Sequence, residues 1–373
     1  MICNLLDIAK YVNDMIPIDF ISKDNYISTE NMLPNKLGIL DAESLPKVNN
    51  VKSFKVGDIL ISNIRPYFKK IWYAKFDGGC SNDVLVLRSK DTNNSRYLYY
   101  LLSDDAFFNY AMKTSKGTKM PRGDKKAILE YKIPMLDINI QNKIAYILET
   151  LDKKIEINNQ INKNLFEQTQ ALYVSWFINH DNFSESEFNS WREGTVDEII
   201  ELFDSKRKPL SSIARAKLRK IYPYYGATSI MDYVDNFIFD GIYLLLGEDG
   251  TVIDNKGFPI LQYVYGKFWC NNHAHIMQGK NGFSVEMLYL FFSLTNVGDC
   301  VTGAVQPKIN QQNLCKIKVK LPPQDILKSF DELIQPMFHL IRKNINENKS
   351  LTSIRDNLLP KLLSGDLDVS SLT

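Results

Sequence analysis

Three stretches hold residues whose types and spacing could do chemistry. Asp124, Glu130 and Lys132 superficially match the acid-acid-lysine set of metal-dependent nucleases, in which carboxylates hold magnesium and a lysine assists the attacking water. The run Cys270-Asn271-Asn272-His273-Ala274-His275 offers sulfur and imidazole donors of the kind that bind zinc. The third chemistry is non-covalent. KTSKGTKMPRGDKK (113–126) carries six Lys or Arg against one acid, and SKRKPLSSIARAKLRK (205–220) carries seven and none. Cations at that density replace the counterions of a phosphate backbone, and glycines let the main chain approach it.

An internal repeat decides among these readings. LLDIAKYVND (5–14) matches TVDEIIELFD (195–204), CSNDVLVLRS (80–89) matches CNNHAHIMQG (270–279), and YLYYLL (97–102) matches MLYLFF (287–292), all at an offset of 190. GTKMPR (117–122) meets GAVQPK (303–308) at 186, and the prolines that close the last strand of each half correspond at 188. Counted back from those prolines, Glu130 and Lys132 fall on Lys318 and Lys320, so only the lysine recurs. The twins of His273 and His275 are Asp83 and Leu85, and alternation along a strand accounts for the histidines. No catalytic residue and no metal are therefore expected. The chain also lacks a G-x-x-x-x-G-K-[ST] phosphate loop, a glycine-rich S-adenosylmethionine loop and an Asn/Asp-Pro-Pro-aromatic motif. Any chemistry must come from partner chains.

The elements that would position the basic loops follow from the same repeat. A length of 373 residues favours two domains or a duplicated unit. With 45% apolar and 24% charged residues the composition is that of an ordinary globular protein. Each half runs strand-rich text, then a Gly-and-Lys loop, then a strand ending at proline, then a long helix. Five cysteines without a C-x-x-C pair predict reduced core thiols. The opening MICNLLDIAKYVND has no basic n-region, and no run of eighteen apolar residues occurs, which predicts a cytoplasmic protein.

In the first long helix, Ile144, Leu148, Leu151, Ile155, Leu165, Leu172 and Trp176 fall at alternating steps of four and three, a heptad seam whose remaining slots hold Asn158, Asn162 and Thr169. The second, 186 residues on, repeats it with Phe330, Ile334, Met337, Ile341, Leu351, Leu358 and Leu362, and with Asn344, Asn348 and Arg355 in the polar slots. A pseudo-two-fold axis would make the helices antiparallel, setting Asn158 against Asn348, Asn162 against Asn344, Leu165 against Ile341 and Leu172 against Ile334. Asparagines in a seam fix its register, because any slip buries them against Leu or Ile. Pro336 predicts a kink or a late start in the second helix.

QNKIAYILETLDKKIEINNQINKNLFEQTQALYVSWF (141–177) and SIRDNLLPKLLSGDL (353–367) resemble the two helical regions of type I restriction-modification specificity subunits. YISTENMLPNKLGI (26–39), GDILISNIRPYF (57–68) and YPYYGATSIMDYVDNFIFDGIYLLLGEDGTV (222–252) look like target-recognition text of that family. Two departures stand out. SWFINHDNF (175–183) replaces the family's usual aspartate-phenylalanine-x-proline linker, and nothing opens the first half as Trp191 opens the second, so a shortened edge strand is expected there.

The resemblance implies a duplicated α+β protein with mixed sheets: a first recognition domain at 1–140, a first spacer helix and linker at 141–180, a second recognition domain at 181–323, and a second spacer helix and tail at 324–373. It implies a non-catalytic subunit that reads a bipartite double-stranded DNA target and docks methyltransferase subunits, with two copies expected. Restriction subunits would join the full complex. S-adenosylmethionine, ATP and Mg would bind those partners and not this chain. The rival reading is a coiled-coil scaffold whose globular halves bind proteins.

Candidate DNA contacts in the first half are Arg65 and Tyr67 for base edges, Lys69 and Lys70 for phosphates, and Lys113, Lys116, Lys119, Arg122, Lys125 and Lys126 in the loop. In the second half they are Lys206, Arg207, Lys208, Arg215, Lys217, Arg219, Lys220, Tyr224, Tyr225, Gln306 and Lys308.

Overall fold

A computed structural model describes residues 2–303 and 306–369, so Ala304 and Val305 of the GAVQPK match and residues 370–373 of the tail lie outside the described residues. The chain folds as two compact units, one formed by 1–157 with 346–373 and the other by 158–345. Each unit thus combines one globular half with a stretch of both long helices.

The first unit is organised by four antiparallel strands in the order Ala9–Tyr11, Val84–Ser89, Ile59–Ser62 and Ile71–Tyr73. The central strands read ILIS and VLVLRS, nearly continuous apolar text, because both faces are covered. Ile59, Ile61, Leu85 and Leu87 pack with Tyr97, Leu98 and Leu101 and with Ile144, Leu148, Leu359 and Leu362 of the long helices. Leu60, Val84 and Val86 pack the other way, with Phe54, Trp72 and Cys80. A second sheet, ordered Met15–Pro17, Asn50–Phe54, Gly78–Cys80 and Tyr26–Ile27, supplies part of that cover.

The second unit repeats the order with Ile200–Leu202, Ala274–Gly279, Phe239–Gly247 and Leu261–Cys270. Here Tyr222–Tyr225 and Ile230–Val234 extend the same sheet to six strands. The repeat reaches single pairings: Ile27 lies parallel beside Cys80 as Tyr225 does beside Cys270. Each half closes with an antiparallel strand pair. It spans three residue pairs between Ile2–Asn4 and Lys132–Pro134, and four between Arg192–Thr195 and Lys318–Leu321. Among the described residues the first edge strand is the shorter one.

The long helices span Ile138–Tyr173, continued by a π-turn at Val174–Ile178, and Gln324–Ser364. Within the second unit their segments run antiparallel. Asn344 Nδ2 donates to Asn162 Oδ1 at 2.9 Å, Phe166 lies against Phe338, and Tyr173 lies against Phe330. Within the first unit, Arg355 bonds Asp152 at 2.8 Å and Lys154 lies 3.5 Å from Glu347, again antiparallel. The late start predicted from Pro336 is not observed, since the helix begins at Gln324 and runs through it. Proline removes one amide donor from the ladder. The carbonyl it orphans is on exposed Glu332, where solvent can take the bond, while buried Phe330, Ile334 and Phe338 hold the helix against its unit.

Candidate nucleic-acid interface

At one end of each central sheet the chain builds the same backbone frame twice. In the first unit, Asn63 N–H donates to Asp83 O (2.8 Å), Arg65 N–H to Pro121 O (2.8 Å) and Gly123 N–H to Asn63 O (3.1 Å). In the second, Glu248 N–H donates to His273 O (2.9 Å), Gly250 N–H to Pro307 O (3.0 Å) and Ile309 N–H to Glu248 O (2.9 Å). The clip in each case fastens a small hairpin, closed between Lys116 and Arg122 or between Val301–Thr302 and Lys308–Ile309. Both hairpins turn at a glycine in the left-handed region, Gly117 (φ +91°) and Gly303 (φ +89°), where a side chain is strained. A Cβ on Gly303 would also sit 2.4 Å from the Gln306 carbonyl. The GTKMPR and GAVQPK texts are therefore similar for a local reason: the glycine makes the turn and the proline carbonyl accepts the clip.

In the first unit this hairpin displays its cations. Lys113, Lys116, Lys119, Arg122, Lys125 and Lys126 are all exposed. Asp124, the acid among them, caps the short helix Lys125–Leu129 by accepting from Lys126 N–H at 2.9 Å, and it pairs with Lys116 at 2.6 Å. That is a structural role for the first member of the nuclease-like set. Arg122 lies 3.2 Å from Asp83. Tyr67 is exposed. Two neighbours, Lys69 and Lys70, are committed elsewhere and leave the set of free contacts. Lys69 pairs with Asp105 at 2.7 Å, and Lys70 donates to Thr29 O at 2.6 Å with burial lowering its pKa. Arg65 takes a left-handed backbone (φ +50°), and its Nε is buried among the described residues without a hydrogen-bond partner.

The second unit sorts its cations more sharply. Lys206, Lys208, Lys217, Arg219 and Gln306 are exposed, and Lys308, also exposed, pairs with Glu248 at 3.1 Å. Arg207 is not available to a ligand: its Nη1 donates to Glu248 at 2.5 Å and to Ala274 O at 2.7 Å, and its side chain is 13% exposed. Arg215 lies over the Tyr224 ring and pairs with Asp232, which also holds Lys220 at 2.8 Å. Tyr224 itself is buried, and its hydroxyl accepts from Leu210 N–H, so it cannot reach a base. Tyr225 is half-buried against Phe268. Lys220 and then the Tyr233 amide hold the Asp232 carboxyl down to about 2, so the clamp stays charged in neutral solution.

Sequence reasoning missed the carboxylates that answer these cations. Asp204 accepts from Ile276 N–H (2.9 Å) and Gln311 Nε2 (2.5 Å) and bonds His275 Nδ1 at 2.6 Å, while His275 Nε2 bonds Ile309 O at 2.7 Å. Burial alone would raise the Asp204 pKa, but the hydrogen bonds led by His275 together hold it below the usual carboxylate value. Asp204, Glu248 and His275 bring their ligand atoms within 4.8 Å of one another. The cation that such a group attracts is already present as Arg207. Of the two histidines weighed as zinc ligands, His275 is thus buried in this cluster, and His273 sits outside it, bonded through Nδ1 to Asp249 Oδ1 at 2.7 Å. The repeat carries no signal for this cluster, since Leu85 stands at the position of His275.

These features define a two-fold repeated recognition scaffold with cationic loops. A family model for the type I restriction modification DNA specificity domain matches twice, over residues 9–167 and 189–349. The chain belongs to that family. It is 26% identical to the type I restriction enzyme MjaIX specificity subunit of Methanocaldococcus jannaschii over 88% of this chain and 82% of that protein. To the type I restriction enzyme HindI specificity subunit of Haemophilus influenzae it is 24% identical over 98% of each. The fold is similar to the crystal structure of a type I restriction-modification system S subunit from M. genitalium, with a TM-score of 0.57, 18% identity, and coverage of 99% of this chain and 96% of that one.

Proposed function

We propose that the chain, as a type I restriction-modification specificity subunit with two recognition domains, selects a bipartite double-stranded DNA target, one half-site per unit. The observation that carries this is the twice-built frame with exposed cations beside it: Lys119 on the hairpin and Lys125 and Lys126 on the short helix after it in one unit, and Lys206 and Lys208 flanking the frame-bound Arg207 in the other. Such cations supply sequence-independent phosphate affinity and fix the register in which bases are read. The long helices dock methyltransferase subunits, two by the symmetry of the repeat, and restriction subunits join the complex. S-adenosylmethionine, ATP and Mg act in those partners, and the modifying and cutting chemistry is theirs. The complex works in the cytoplasm.

Exchanging residues 1–140 for those of another specificity subunit tests the division of labour. Methylation sequencing should show one half of the target changed and the other half retained. A swap that alters both halves together would overturn it.

A further inference from the structure

The two frames share their backbone hydrogen bonds and differ in the side chains that they display. Where the first unit sets Asp83 beside Arg122, the second sets His273 beside Asp249. Each pair is an accessible cation or imidazole steered by a carboxylate. Arg122 is 55% exposed beside an Asp83 that is 37% exposed, and His273 is 45% exposed beside an Asp249 that is 21% exposed. A cation already matched by a carboxylate is a poor replacement for phosphate counterions, because the pair has little net charge to offer. What it offers is direction. A guanidinium held at one end presents the rest of its fork, which fits the O6 and N7 acceptors of guanine. His273 is held through Nδ1 against Asp249, which leaves Nε2 as the ring nitrogen turned away from the carboxylate. A ring nitrogen there can hydrogen-bond a base edge in the major groove.

We propose that Arg122 with Asp83, and His273 with Asp249, are the base-reading pairs of the two half-sites, presented by equivalent frames in which only Asp83 and His273 occupy the same position. The unpaired lysines around them hold phosphates. This rests on the reading of the chain as a DNA-selecting subunit and assigns its discrimination to particular atoms. The first half-site contains a guanine read by Arg122. The second contains a base read by His273 Nε2.

Selection of bound duplexes from a library randomised over both half-sites, using the full-length chain, tests the assignment. R122A should lose preference for one guanine in the first half-site by about tenfold or more and leave the second half-site unchanged. H273A should relax one position of the second half-site alone, by a similar factor. Both side chains are accessible, and matching thermal melts would exclude a folding defect. The assignment is overturned if the variants bind every sequence more weakly while selecting the same motif, which is the signature of phosphate contacts, or if the relaxed position falls in the other half-site. A wild-type chain that selects no motif would instead remove the DNA-selecting reading, and this inference with it.

Discussion

Asn344 donates its side-chain amide to the Asn162 carbonyl at 2.9 Å, joining two residues 182 positions apart in the chain, inside the apolar packing of the long helices of the second unit. Asn344 is buried, so the bond is made where water cannot substitute for it. Replacing one partner leaves a buried amide unsatisfied, whereas replacing both removes the demand.

Asn162→Leu alone, which leaves the buried Asn344 amide without this partner, should therefore cost about 1–3 kcal/mol in urea unfolding. Asn162→Leu with Asn344→Leu should be neutral or stabilising while permitting alternative registers of the helices, visible as doubled amide resonances. A single variant as stable as the parent would show that this bond does not specify the pairing.

The basic stretch 205–220 should divide into free and committed cations. Lys217 and Arg219 are exposed, whereas Lys220 is held by Asp232. Lys217→Ala with Arg219→Ala should flatten the logarithmic salt dependence of DNA binding by up to about two units, and Lys220→Ala should change it by less than about one. Equal effects of Arg219 and Lys220, measured by titration at several salt concentrations, would contradict the sorting.

His275 and Asp204 form a buried pair at 2.6 Å that the first unit replaces by Leu85 at the position of the histidine. Removing one member leaves a buried charge, so His275→Leu should destabilise by about 3 kcal/mol in chemical denaturation. The Asp204 carboxyl is held below its ordinary value. Its contribution is thus present above the unfolded carboxylate pKa and is lost as the pH falls through the folded one. Asp204→Asn should flatten the acid limb of the stability profile. An unchanged acid limb would mean that the pair is not linked to folding.

Thiol reactivity should split the cysteines. Burial pushes both Cys80 and Cys270 up to about 12, which suppresses the reactive thiolate. Cys3, Cys300 and Cys315 are partly exposed. Under native conditions a thiol reagent followed by peptide mass mapping should label those three and reach Cys80 and Cys270 only after unfolding.

The sequence by itself determined the duplication, the seam of the long helices and the two glycine-proline hairpins. Those features are written in short-range terms: a period of three and four residues, and a glycine and a proline at fixed spacing within one loop. The antiparallel contact of Asn162 and Asn344 also followed, because symmetry constrains what two equivalent seams can do. Which cations remain free was decided only by the tertiary structure. A count of charges within a window registers Lys69, Arg207 and Lys220 alike, yet their partners are Asp105, Glu248 and Asp232, brought from other elements. Tyr224 likewise reads as an exposed aromatic until a strand covers each side of it. Helix seams and turns follow from neighbours along the chain, whereas ion pairing and burial depend on Coulomb and solvation terms set by distance in space, and folding creates those distances.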